Sequence, residues 1–282
     1  MLAGLPIVER RLSLAGVSTA VLEGGDGPPI VLLHSGGEFA AVWLRVIPDL
    51  VTTHRVIAPD LPGHGASAGA DGGLDVTSTL AWVSELIDRT CSSPPALVGH
   101  ALGGAVAARF AGNHGDRLSR LVLVDSLGLG PLEPEPSFQL AATRFLEGPT
   151  ERTRDDLFRR CFVDLDGLRE QMGERWEAIA AYALERVRTP VMSAALGHLM
   201  PQFGGEIPST DLARIAVRTA LIWGRHDLQV PVRIAEAASA RHGWPLHVID
   251  GAGDDPAMEK PEAFIEALRA VLAPLTRAEA TS

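Results

Sequence analysis

Cysteine is scarce in this chain. Its 282 residues include two, Cys91 and Cys161, and neither stands at metal-ligand spacing from another cysteine or histidine. A disulfide framework and a zinc site are therefore not expected, and both thiols are read as buried and free. Long apolar runs are missing too: no stretch approaches the about 20 residues that a membrane helix needs. Residues 1–11 show no charged segment followed by an apolar run, so no signal peptide is expected and the chain is read as cytoplasmic. There is no internal repeat and no low-complexity tract. The glycine-rich turns follow neither the dinucleotide nor the P-loop pattern, so no organic cofactor is expected. Positive charge is also in deficit, with 25 Lys and Arg against 35 Asp and Glu and a formal net charge of −10. An acidic surface disfavours nucleic acid and anionic membranes as partners. A small, mostly apolar molecule is the expected partner, and the oligomeric state is left open.

What is present is a large apolar fraction. The chain is 46% hydrophobic and 21% charged, the balance of one large α/β domain with a sizeable core. Residues 8–24 read as two strands joined by a turn. Residues 29–34 and 55–59 are short apolar runs bounded by Gly or Pro, the pattern of strands buried on both faces. Residues 95–99, 120–125, 219–223 and 245–250 repeat that pattern. Between and after them, 39–51, 76–89, 102–114, 231–241 and 261–273 read as helices. This alternation predicts a mostly parallel, eight-stranded sheet flanked by helices. It breaks at 128–210, which holds no convincing strand and opens on Pro131, Pro134 and Pro136. That stretch is expected to be an inserted helical cap, with 1–127 and 211–282 as the core. Most of its Phe138, Phe145, Phe158, Trp176, Tyr182, Met192, Met200 and Phe203 are expected to hold the cap together, and a minority to line a pocket.

Five short motifs stand in order along the core. They are Leu33-His34-Ser35-Gly36-Gly37, Asp60-Leu61-Pro62-Gly63-His64-Gly65, Gly99-His100-Ala101-Leu102-Gly103-Gly104, Trp223-Gly224-Arg225-His226-Asp227 and Asp250-Gly251-Ala252-Gly253-Asp254-Asp255-Pro256. Each is weak alone. Together, at these spacings, they resemble the α/β-hydrolase superfamily, in its capped ester-, lactone- and C–C-bond-cleaving branch, over nearly the whole chain. The resemblance implies acyl transfer by serine, histidine and acid, with two backbone N–H groups holding the oxyanion. It gives Ala101 the nucleophile position of the G-x-S-x-G elbow, Asp227 the acid position and Asp254 the histidine position. The N–H groups of Gly36 and Leu102 would form the oxyanion hole. His34, Ser35 and His100 would lie by the pocket.

Two of the three catalytic positions thus carry the wrong side chain. Alanine has no nucleophilic atom, and aspartate ordinarily titrates near 3.9 against about 6.5 for histidine. Losing one triad member costs on the order of a million-fold in turnover, so classical serine hydrolysis is expected to be absent or very low. In the family geometry Asp254 also approaches Asp227. Two carboxylates about 4 Å apart repel by roughly 4 kcal/mol at an effective dielectric of 20, so the pair is expected to share a proton near neutral pH. Gly99, Gly103 and Gly104 serve the turn itself whether or not chemistry occurs, and His64 and His226 read as structural or surface residues.

Three readings follow. In the favoured one the chain is a non-classical member that moves protons on a small apolar substrate, as a lyase, isomerase or cyclase would, with an Asp as acid or base. In the second it is a serine hydrolase disabled by substitution as a substrate trap. In the third it is a pseudo-enzyme that binds a small ligand.

Overall fold

A computed structural model of the chain describes residue 2 and residues 4–70 and 73–273. The strands are β1 (Val8–Leu14), β2 (Val17–Gly24), β3 (Pro29–Leu33), β4 (Arg55–Pro59), β5 (Ala96–His100), β6 (Arg120–Val124), β7 (Thr219–Gly224) and β8 (Leu246–Ile249). They form one eight-stranded sheet in the order β1-β2-β4-β3-β5-β6-β7-β8. β2 is antiparallel to β1 and β4, and the remaining pairs are parallel. This is the α/β-hydrolase fold.

The helices of the first half are α1 (Ile47–Leu50), α2 (Val76–Thr90) and α3 (Ala101–His114). Between β6 and β7 run α4 (Pro136–Glu147), α5 (Glu151–Cys161), α6 (Leu165–Met172), α7 (Glu174–Val187), α8 (Pro190–Phe203) and α9 (Ser209–Leu212). The chain closes with α10 (Arg233–His242), α11 (Pro256–Glu259) and α12 (Pro261–Leu272).

The middle of the sheet, β3 to β7, is buried on both faces, and its side chains alternate between two clusters. Val31, Leu33, Leu97, Leu121, Leu123 and Leu221 pack in one apolar cluster with α2, α3 and α10. Ile30, Leu32, Val98, Val122, Val124 and Ile222 pack in the other, with α12. Period-two alternation with apolar residues at both phases is why β3, β5 and β7 read as continuous hydrophobic runs. Segment 39–51 departs from the single helix expected. It is a 3₁₀ turn over Ala40–Arg45 followed by the four-residue α1. Pro48 lies in the first turn of α1, and a residue without an N–H cannot continue the preceding helical hydrogen bonds.

α3 starts directly where β5 ends, so this turn has little room. A Cβ on Gly103 would stand 2.6 Å from the carbonyl oxygens of both Leu33 and His34. A Cβ on Gly99 would meet the Gly103 carbonyl. Backbone cannot yield as a flexible side chain can, so close approach of α3 to β3 needs glycine here. Gly103→Ala should therefore cost about 3 kcal/mol or more of unfolding free energy in urea titrations, at the upper end of overpacking penalties. A loss below about 0.5 kcal/mol would show that α3 can move aside.

Candidate active site

The loops that follow β3, β5, β6, β7 and β8 all leave from the carboxyl ends of parallel strands, so the sheet collects them at one rim. They carry Ser35 to Glu38, Ala101, Asp125, Asp227 and Asp254. Ala101 opens α3 with φ of 42°, a left-handed conformation that a side-chain-bearing residue rarely adopts. It is fully buried. Leu102 packs on the β3 loop, its Cδ2 lying 3.1 Å from where a Gly36 Cβ would be, and Leu196 of α8 reaches the same spot at 3.3 Å. Gly36 thus sits against the first turn of α3, under α8. The aligned peptides of α3 put partial positive charge at this end.

His100, just before Ala101, is 1% exposed. Its Nδ1 meets Glu38 Oε2 at 3.3 Å and its Nε2 meets the Asp254 carbonyl oxygen at 2.7 Å. Both ring nitrogens therefore face acceptors, an arrangement that only the doubly protonated ring satisfies by donating twice. Burial works against that charge, but Glu38, Asp255 and Asp254 outweigh it and hold the pKa well above the ordinary histidine value. The same Glu38 Oε2 accepts the Ser35 N–H at 3.0 Å. One ion pair thus ties together three loops. His34 behaves in the opposite way. Its Nε2 accepts the Leu61 N–H at 2.9 Å, which leaves Nδ1 to donate to the Ser35 carbonyl. Burial and the neighbouring His64 push its pKa well down, so it is a neutral strut. Burial likewise lowers His64 to about 4.

The carboxyls form the second feature. Asp227 Oδ1 accepts the N–H groups of Gln229 at 2.7 Å and Val230 at 3.0 Å, whereas its Oδ2 has no hydrogen-bond partner. Asp254 Oδ1 also lacks a partner and stands 4.0 Å from His100 Nε2. The two carboxyls stand in each other's field. Burial and then the Asp254 charge drive Asp227 well up. Burial, moderated by the His100 charge, brings Asp254 to about 6. Burial takes Asp255 to about 8 and Glu259 to about 7. Asp125, fully buried at φ of 43°, accepts the Gly224 N–H through Oδ1 at 2.8 Å and keeps Oδ2 unpartnered. Burial and Asp227 raise it well above the usual carboxylate range.

A cavity of about 460 Å³ lies between this rim and α4–α8. Ser35, Gly36, Glu38, Asp254, Asp255 and Gln229 supply its polar wall. Phe138, Phe145, Phe158, Phe162, Trp176 and Met200 supply much of its apolar wall. Phe158, Phe162 and Trp176 meet edge to face with centroids 5.5 to 5.7 Å apart. Of the residues expected by the pocket, Ser35 lines it, whereas His34 and His100 stand behind its wall. Ala101, Leu102 and Asp227 do not line it: the first two are fully buried and Asp227 is 4% exposed. Tyr182, Met192 and Phe203 pack elsewhere: Tyr182 meets Phe39 edge to face, and the other two are fully buried.

Three participants carried no sequence signal. Glu38 lies 62 residues from His100, and nothing in its loop marks it as the partner of a buried cation. Cys161 ends α5, lines the cavity, and gives its backbone carbonyl to the Asp254 N–H at 2.9 Å. Burial and the Asp254 charge hold its thiol protonated. Asp125 read simply as the last residue of a strand. Among the described residues no group of three or more His, Cys, Asp or Glu side chains could hold a metal ion, and no helix is long and apolar enough to cross a membrane.

The sequence profile of the alpha/beta hydrolase family matches residues 30–267. The chain is 29% identical over 266 residues to the pimeloyl-[acyl-carrier protein] methyl ester esterase of Aeromonas hydrophila, covering 89% of this chain and 97% of that one. It is 28% identical over 246 residues to the dihydrolipoyllysine-residue acetyltransferase component of the acetoin cleaving system of Cupriavidus necator, covering 86% of this chain but 63% of the longer relative. The fold is similar to that of 2-hydroxy-6-oxo-6-phenylhexa-2,4-dienoate hydrolase from a Rhodococcus strain, with TM-score 0.80, 24% identity, and coverage of 94% and 98% of the two chains.

Asp227, Asp254, Asp255, Glu259 and His100 all hold protons more tightly in the folded chain than unfolded. Stability from such groups is complete below the unfolded pKa and is lost as pH rises through the folded one. The opposite shifts of His34 and His64 act below about pH 6.5. Above it the site loses stability steadily. Asp255, with a folded value of about 8, alone removes about 2 kcal/mol between about pH 6.5 and 8. Urea denaturation at those two pH values checks this, and equal or higher stability at the upper one refutes the buried-carboxyl account.

Proposed function

The chain belongs to the alpha/beta hydrolase family, and we propose that it uses this fold for proton transfer to and from a small carbonyl substrate, with Asp254 as acid and base. One observation carries the reading: a buried carboxyl in the cavity wall, brought to about 6 by its surroundings, with one oxygen lacking any partner. A general base works best when its pKa lies near the working pH. Ala101 offers no nucleophile at the elbow, and the Cys161 thiol is held protonated, so neither supplies an activated nucleophile. On this reading Ala101 occupies the nucleophile position and Asp254 the histidine position. Residues 128–210 act as a cap that supplies the apolar wall.

The chemistry balances without a covalent intermediate. Asp254 takes a proton from the carbon next to the carbonyl. The C–H electron pair moves into the new C=C bond, and the carbonyl π pair moves onto oxygen. The N–H groups of Gly36 and Leu102, at the positive end of α3, stabilise the resulting enolate oxygen. Return of the proton to the same or another carbon regenerates the carboxylate and gives exchange or isomerisation; with a leaving group on the β carbon, the enolate pair instead forms the C=C bond, the leaving group departs with the pair of its broken bond, and Asp254 gives it the proton. Asp227 acts through Asp254: its charge, when present, raises the basicity of its neighbour.

Deuterium exchange next to the carbonyl of 4-phenyl-2-butanone in D₂O, followed by NMR, tests the step. The chain should accelerate exchange, with a rate that rises through an apparent pKa of about 6. Asp254→Asn should lower the enzyme-dependent rate about a hundredfold or more. The chain should leave 4-nitrophenyl acetate at the background rate. Exchange that is indifferent to Asp254→Asn, or rapid ester hydrolysis by the unaltered chain, refutes the reading. Ester hydrolysis gained by Ala101→Ser with Asp254→His, in a parent that exchanges nothing, supports the disabled serine hydrolase instead.

A further inference from the structure

We infer that the cavity selects small apolar amines, with the ammonium group against Asp254 and the hydrocarbon or aromatic part against Phe158, Phe162 and Trp176. The selection follows from the sign of the charges in its wall. Glu38, Asp254 and Asp255 line it, and among the described lining residues there is no Lys, Arg or His. One cation, His100, stands behind the wall at 1% exposure, with both ring nitrogens committed to Glu38 and to the Asp254 carbonyl; another, Arg45, is held outside it on the Met258 carbonyl. His100 offsets one negative charge and donates nothing to a ligand. Asp254 lines the wall and is 6% exposed, so part of its side chain meets the cavity. An ammonium group brought by a ligand gives that carboxylate a charge-assisted hydrogen bond.

The apolar wall points the same way. Three aromatic rings stand together in the wall of the same cavity. Aromatic faces attract a cation or pack an aromatic body. A carboxylate ligand would instead meet the Asp254 charge and a Glu38 already paired with His100, and an uncharged one would forgo the charge–charge attraction to Asp254. The inference concerns what enters the cavity and stands without any turnover.

Three ligands of one shape test it: 4-phenylbutylamine, 4-phenylbutan-1-ol and 4-phenylbutanoate, titrated calorimetrically into the full chain at neutral pH. The amine should bind about tenfold or more tightly than the alcohol, the margin of one charge-assisted hydrogen bond, and the carboxylate should bind most weakly. Asp254→Asn should bring amine and alcohol within about threefold of each other. Leu146, 55% exposed and lining the cavity, provides a second variant that leaves the core untouched. Leu146→Lys should weaken the amine and strengthen the carboxylate. Alcohol binding as tightly as the amine overturns the inference, as does an amine preference that both variants leave unchanged. A chain that exchanges no α-proton yet shows the amine preference sinks the proposed reaction and leaves this inference standing.

Discussion

A buried imidazolium governs this site. His100 holds its charge between the Glu38 carboxylate and the Asp254 carbonyl, and everything at the rim of the sheet is arranged around that charge. Breaking a buried ion pair by removing one partner costs about 3–5 kcal/mol, because the other charge remains in a low dielectric. Here the dependence is mutual. Glu38 and Asp255 support the cation, and the cation in turn limits how far burial raises Asp254 and Asp255. Because Glu38 also accepts from Ser35, the same pair fixes the β3 loop relative to the start of α3. The position of Gly36 beside Leu102 follows from an electrostatic contact that neither residue makes.

The turn at Ala101 shows how far a scaffold can be kept apart from its chemistry. A left-handed non-glycine residue costs of order 1 kcal/mol or more and persists only where its surroundings force it. The forcing is done by backbone: Gly99 lies against the Gly103 carbonyl, and Gly103 lies against Leu33 and His34. None of those contacts involves the side chain at 101. The elbow therefore folds alike around a methyl or a hydroxymethyl group, and an intact glycine pattern says nothing about activity.

This separation also explains what could be read in advance. β3, β5 and β7 were legible as apolar runs because both phases of their alternation face a cluster. The helices between β6 and β7 were legible as a break in the strand pattern. Segment 39–51 was misread as one helix because its apolar content resembles a helix face, while Pro48 divides it. At the site, the positions of Ala101, Asp227 and Asp254 came from local motifs. Glu38 and Cys161 did not, since each acquires meaning only from a partner about 60 to 90 residues away whose approach the sheet order creates.

On the proposed reading Asp254 does the work of a histidine, and its proton affinity lies closer to a histidine's than the free pKa values suggest. Free, the two differ by more than two units. Buried beside Glu38, and with His100 acting against the shift, the carboxyl is brought to about 6, where an imidazole would ordinarily titrate. What changes is the sign of the charge. A histidine base becomes a cation when it accepts a proton, whereas this carboxyl becomes neutral and leaves only His100 as a permanent cation. On the proposed reading, a base of that kind gives up nothing in proton affinity but favours a positively charged or neutral substrate. The carboxyl at 254 and the acidic wall of the cavity then belong to one electrostatic arrangement.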